Sequence, residues 1–171
     1  MKINTSISVV IRIFLWLLML LGGAWYSIIQ DLSNPYFKSI YFHLLSTLLG
    51  IIIIFLAFRA SANGGKELTK GRVGNIPRLE TNKLVTTGIY GCMRHPMLFG
   101  LTLLPLGWSL LIGSPTFISV IAPFEMIFII IMVVIFEERE VKGKFGKKYE
   151  IYRAKVPMVS FEWRCLKWLF S

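Results

Sequence analysis

The chain is poor in the residues from which most metal and redox centres are built. Its 171 residues include two cysteines, two histidines and nine acidic residues, against nineteen Lys and Arg. Cys92 and Cys165 are isolated, with no CxxC spacing and no ligand set around either, which argues against zinc; a disulfide is not expected between them either, because both fall on the side read below as reducing. Gly71, Gly74, Gly88 and Gly91 match neither a phosphate-cradling loop nor a dinucleotide fingerprint and read as turns. Internal repeats and low-complexity segments are absent, and the length predicts a single domain over 1–171.

What the chain has in excess is apolar residues, 55% of the total, and they are blocked rather than dispersed. Four runs stand out, at 7–29, 39–58, 96–112 and 116–136. Each is roughly 17–23 residues long, the length that crosses a hydrocarbon core of about 30 Å. The first could be a signal peptide flanked by Lys2 and Arg12. Gly22-Gly23-Ala24-Trp25-Tyr26 is a poor cleavage site, however, and the apolar stretch continues to Ile29, so a retained helix is the better reading. The expected fold is therefore all-α, a polytopic membrane bundle of about four transmembrane helices.

The net charge of +10 reflects topology more than nucleic-acid binding. Arg59, Lys66, Lys70, Arg72, Arg78, Lys83 and Arg94 lie between the second and third runs. Arg139, Lys142, Lys144, Lys147, Lys148, Arg153, Lys155, Arg164 and Lys167 follow the fourth. Only Lys38 separates the first two runs, and Gly113-Ser114-Pro115 carries no charge. The positive-inside rule then predicts both termini and the 59–95 segment in the cytoplasm, with anionic lipid as a secondary attraction. The same topology sets His43 and His95 on opposite sides of the bilayer, which excludes a bis-histidine haem. Beyond the last run, Val141, Phe145, Tyr149 and Tyr152 form one apolar stripe, predicting an amphipathic cytoplasmic helix over about 137–153. The tail from Phe161 to Phe170 mixes Trp with Lys and Arg, as interfacial segments do.

Folding the third and fourth runs back about Ser114 brings the Arg94-His95 pair and the Glu137-Glu138 pair within about a turn of each other at the cytoplasmic interface. Two adjacent carboxylates extending a membrane helix need cations to meet them. A salt bridge capping the hairpin and a chemical site both satisfy that need, and spacing alone leaves the two open. Glu125, near mid-membrane, is a further ionisable candidate, with either a functional or a structural role.

The residues around these pairs form two motifs. Thr87-Gly88-Ile89-Tyr90-Gly91-Cys92-Met93-Arg94-His95-Pro96-Met97-Leu98-Phe99-Gly100 resembles the G-x-Y-x-x-x-R-H-P-x-Y-x-G signature of the isoprenylcysteine carboxyl methyltransferase and phospholipid methyltransferase superfamily. Glu137-Glu138-Arg139-Glu140, then Phe145-Gly146-Lys147-Lys148-Tyr149-Glu150-Ile151-Tyr152 and Val156-Pro157, are similar to its second signature. Together they cover about 84–157. Leu98 stands where the family usually has Tyr, and Val141 where it has Leu.

The resemblance implies an enzyme that uses S-adenosylmethionine as methyl donor, without a Rossmann domain, on a lipid-like or hydrophobic acceptor carrying a carboxylate or an amine. It implies a cofactor site of Gly88, Tyr90, His95, Glu137, Glu138 and Tyr149. His95 would donate to the donor's carboxylate, and the Glu pair would hold its ammonium. Arg94 would orient the acceptor, and Glu138 would serve as base if the acceptor is an amine. Two other readings stay open: an NADPH-dependent membrane reductase of the sterol-reductase type, disfavoured by the Glu-Glu pair, and a non-catalytic scaffold. Gly100, Gly107 and Gly113 read either as thin places where an acceptor enters from the bilayer or as small residues at helix contacts.

Overall fold

The computed structural model describes residues 5–74 and 81–171, with the backbone alone at 5–9 and 12. Lys2, Arg78 and the side chain of Arg12, which entered the charge and signal-peptide readings, lie outside the described residues. Every regular element described is helical. The helices are α1 (Thr5–Asp31), α2 (Ile40–Leu68), α3 (Pro96–Ile112), α4 (Ala122–Met132), α5 (Glu138–Phe145), α6 (Lys147–Lys155) and α7 (Trp163–Phe170). Short 3-10 turns cover Thr69–Gly71 and Gly88–Gly91, and π-helical turns cover Phe117–Ile121 and Val133–Glu137. Three helical stretches, Ile13–Asp31, Ile40–Gly71 and Phe117–Phe145, are long and apolar enough to cross a membrane. The third expected span, 96–112, coincides with α3, whose 17 residues make about 26 Å at the usual rise, slightly short of a typical hydrocarbon core. Large apolar side chains such as Phe14, Leu18, Trp25, Leu44, Leu48, Phe55 and Phe124 are exposed, as lipid-facing residues must be. The protein is an all-α, polytopic membrane protein.

The chain forms two compact units, Met1–Ile52 with Pro105–Ile127 and Ile53–Leu104 with Phe128–Ser171. In the first, Asp31 is fully buried at the end of α1. Its carboxylate accepts from Ser114 Oγ (2.5 Å), Thr116 N (3.0 Å) and Thr116 Oγ1 (2.6 Å). Ser114 Oγ in turn accepts from Phe117 N at 3.1 Å. Thr116 N and Phe117 N are among the amides that a helix start leaves without intrahelical partners, so one carboxylate, directly and through Ser114, caps the fourth span from another helix. Gly113, at φ +67°, makes the preceding reversal in a conformation that favours glycine. Pro123 lacks the N–H that would bond the carbonyl of residue 119, and the wide turn Phe117–Ile121 lies just before it. Gly50 meets the backbone of Gly107 and Leu111 so closely that a Cβ there would lie 2.9 Å from Gly107 O. Glu125 is buried, with Oε1 close to Gly23 and Oε2 without a hydrogen-bond partner among the described residues.

In the second unit Ala62-Asn63-Gly64-Gly65 reads in the sequence as a break in the second helix, but α2 runs through it to Leu68. A glycine inside a helix costs up to about 1 kcal/mol, and Gly64 has a packing reason, because a Cβ on it would lie 2.7 Å from Met97 Cγ. Gly100 likewise abuts Ala57 O and Ser61 Oγ. Gly100 and Gly107 therefore sit at close helix crossings, not at openings towards lipid. The core joins Ala60, Val85, Ile89, Tyr90 and Met93 to Cys165 and Leu169 of α7. The amphipathic helix expected over 137–153 is two helices, parted at Gly146, whose φ of +54° again favours glycine. The predicted stripe survives the break: Tyr149 and Tyr152 are buried, and Val141 and Phe145 half-buried.

Asp31→Ala would leave Ser114, Thr116 and the helix start without their acceptor. It is expected to lower stability by about 2–4 kcal/mol, read by thermal unfolding in detergent, with Asp31→Asn less damaging. A melting temperature unchanged in both variants would contradict the capping role.

Candidate active site

The site is built around one carboxylate. Val133 and Glu138, both buried, are five residues apart, a spacing that on an α-helix at about 100° per residue points side chains well apart. The π-helical turn Val133–Glu137 closes its bonds one residue later and turns Glu138 onto the buried face. There it meets Arg94 and His95.

Four groups converge on Glu138. Arg94 Nη1 donates to Oε1 at 2.5 Å and Oε2 at 2.7 Å. His95 Nε2 lies 2.7 Å from Oε1, and the Tyr149 hydroxyl donates to Oε1 at 2.6 Å. Arg153 Nε approaches Oε2 at 3.4 Å. Both oxygens are thus engaged, by two cations and two further polar groups, which makes a buried carboxylate tolerable. Glu137 differs in kind. Its side chain is 37% exposed, and its Oε2 lies 3.7 Å from His95 Nδ1, so the imidazole ring stands between the two carboxylates. Arg94 Nε is buried and has no hydrogen-bond partner among the described residues.

The main chain fixes these side chains. Arg94 N donates to Pro157 O (3.0 Å) and His95 N to Met158 O (3.2 Å), pinning the start of α3 to the segment after α6. Tyr152 donates its hydroxyl to Tyr90 O at 2.6 Å. Burial first, then the Glu138 carboxylate, pushes the Tyr149 hydroxyl up to about 12, so it remains a donor at neutral pH. Burial also holds the Tyr90 and Tyr152 hydroxyls above the ordinary tyrosine range, with Glu137 and Glu67 adding to the effect at Tyr90.

Of the residues singled out in the sequence, Arg94, His95, Glu137, Glu138 and Tyr149 come together, and Tyr90 adjoins them through Tyr152. Gly88, at φ +57°, instead lines a cavity of about 450 Å³ with Gly91, Cys92, Lys155, Arg164 and Trp168. The Glu67 carboxylate lies directly against Gly88, where any Cβ would collide with it. Sequence reasoning missed Arg153 and Tyr152 as partners, although Arg153, four residues after Tyr149, shares its helix face. It also missed the disulfide: Cys92 and Cys165 are bonded, their Cα atoms 5.7 Å apart. Isolated cysteines give no spacing signal, and only the docking of α7 brings these two together.

The phospholipid methyltransferase family profile matches residues 40–148. Protein-S-isoprenylcysteine O-methyltransferase B of Arabidopsis thaliana is 36% identical to the chain over 83 residues, which are 48% of this chain and 41% of the plant protein. The chain thus spans about two fifths of the length of that curated relative. No solved structure matches the chain.

A tyrosine whose pKa rises from 10.0 unfolded to about 12 folded binds its proton more tightly when folded. Its contribution is complete below about pH 10 and is lost as pH climbs towards 12. Stability measured against pH should therefore fall across that window, and less steeply in Tyr149→Phe than in the wild type. Identical slopes would mean that Tyr149 is not held in this way.

Proposed function

Because the chain belongs to the phospholipid methyltransferase family, we propose that it is an integral membrane methyltransferase that uses S-adenosylmethionine to methylate a lipid-like acceptor. The observation that carries this reading is the buried Arg94–Glu138–His95–Tyr149 cluster with a second, more exposed carboxylate beside it. When bound, S-adenosylmethionine supplies an electrophilic methyl group on a sulfonium. The residues suit its zwitterionic methionine end: Arg94 Nε is a buried N–H with no partner among the described residues, fitted to a carboxylate, and Glu137 is the exposed anion, fitted to an ammonium.

The roles differ in part from those expected of the sequence. His95 is occupied between Glu138 and Glu137 and acts by holding their geometry. Glu138, with both oxygens engaged, is a positioning residue: it fixes the Arg94 guanidinium and the Tyr149 hydroxyl in place ahead of binding. Methyl transfer is an in-line displacement, so placing the two reactants and stabilising charge supply most of the acceleration. A carboxylate acceptor needs no base. An amine acceptor would have to shed a proton, and that role passes from Glu138 to Glu137, the more solvent-facing of the two.

The acceptor's lipid tail would remain in the bilayer while its head group meets the cluster. The basic residues in 59–95 and after Glu137 support placing both termini and the site in the cytoplasm. A cysteine introduced at Ser33 should react with an impermeant reagent from outside, and one at Lys66 only after permeabilisation; the reverse pattern overturns the orientation.

Calorimetry with purified protein tests the donor site. Arg94→Lys and Glu137→Gln should each weaken S-adenosylmethionine binding by roughly ten- to a hundred-fold, the loss of one charge-assisted hydrogen bond. Wild-type affinity in both variants would move the donor elsewhere, and binding of NADPH instead would replace the reading with a reductase. A labelled-methyl assay should show far greater turnover of a lipid-tailed acceptor than of its tail-less analogue; equal turnover would refute entry from the bilayer.

A further inference from the structure

The Cys92–Cys165 bond, spanning 73 residues of sequence, serves none of the roles assigned above. Cys92 lies between the turn Gly88–Gly91 and Arg94, and Cys165 lies in the first half of α7. That helix is attached at two places. At its C-terminal end, Arg59 Nε donates to Phe170 O at 2.5 Å, Arg59 Nη2 donates to Ser171 O, and Asn63 Nδ2 donates to Leu169 O at 2.9 Å. Leu169 is fully buried. At the N-terminal end it is held by the covalent bond, by the packing of Cys165 into the core with Ile89 and Met93, and by the edge of Phe161 against Phe99. Phe161 and Trp163 themselves are 77% and 79% exposed.

Both cysteines line the cavity of about 450 Å³, together with Gly88, Lys155, Arg164 and Trp168. Cys165 is 3% exposed and Cys92 half-buried, so Cys92 is the sulfur that a reagent in the cavity reaches. Lys155 and Arg164 give the cavity cations that draw in a thiolate. In the proposed orientation the bond faces the reducing compartment, where a cycling disulfide is the expected kind.

We propose that Cys92–Cys165 is a reducible latch on α7, taking a dithiol reductant as its substrate and governing entry to the cavity beside Gly88. A thiolate of the dithiol attacks Cys92 Sγ and the S–S bond breaks. The electron pair passes to Cys165 Sγ, which takes up a proton and is placed to donate it to Glu162 Oε2, 3.9 Å away. The second thiol of the reductant then resolves the mixed disulfide, releasing Cys92 as a thiol and the reductant as its own disulfide. With the latch open, α7 keeps its anchors at Leu169–Ser171 and swings about them, carrying Arg164 and Trp168 away from Gly88 and Gly91.

Intact mass and hydrogen exchange on the full chain test this, with dithiothreitol as the reductant. Protein purified without reductant should be lighter than the reduced form by two hydrogen atoms. Reduction should raise exchange across Leu166–Trp168, the first amides of α7 with helical acceptors, by about tenfold or more while leaving Leu169–Phe170 protected. Reduced and alkylated wild type should exchange like the reduced form, and Cys165→Ala should reproduce it without any reductant. Two free thiols in never-reduced protein, or equal exchange across Leu166–Trp168 in both redox states, would overturn the latch. Neither measurement reads methyl transfer, so failure of the donor or acceptor assays leaves this result standing, and the converse holds too.

Discussion

A carboxylate buried at the edge of a membrane is a liability unless cations reach it, and the second unit is organised to bring them. Glu138 gathers Arg94, His95, Tyr149 and Arg153 from the start of α3 and from α6. Removing one partner of such a buried pair typically destabilises by about 3–5 kcal/mol, because the other charge is left uncompensated. Those partners therefore cannot drift independently. The same interaction that satisfies the charge fixes a guanidinium, an imidazole and a phenol in one arrangement before any ligand arrives.

The backbone serves that constraint. The π-helical turn ahead of Glu138 turns it inward while leaving Glu137 partly open, so two neighbouring glutamates take different environments. Glu138 has both oxygens engaged, while the Glu137 side chain is 37% exposed. The hydrogen bonds from Arg94 N and His95 N to Pro157 and Met158 hold the Arg-His pair from behind, and Tyr152 ties α6 to Tyr90. The first unit solves its own problem in the same way: Asp31 satisfies the hydroxyls and amide at the start of the fourth span, where lipid offers no alternative partner.

Membership of the phospholipid methyltransferase family and this cluster bear on each other through chemistry. The donor proposed above, a zwitterion at one end and a cation at its reactive centre, calls for a positive and a negative group close together and already in place. Arg94 beside Glu137 and Glu138 offers that pairing in a chain with few acidic residues. Gly88 belongs to a different feature, the cavity under α7, where Cys92 and Cys165 place covalent chemistry beside the same loop that carries Tyr90 and Arg94.

The apolar runs and the asymmetry of Lys and Arg determined by themselves that the chain is helical and membrane-spanning, because hydrocarbon admits no unpaired backbone and a run's length counts its crossings. The Arg94-His95 and Glu137-Glu138 pairs determined the neighbourhood of the site, since a short turn at Ser114 leaves those helix ends few other places to go. Tertiary structure decided the rest. That Glu138 rather than Glu137 turns inward depends on a π-helical turn with no residue signature of its own. That α2 runs through Gly64 and Gly65 depends on Met97 packing against the bare Cα. That Cys92 meets Cys165 depends on Arg59 and Asn63 seating α7, contacts between residues more than a hundred positions apart. Sequence periodicity reports which face of an element is buried; it carries no information about what stands opposite, and these three features are set by what stands opposite.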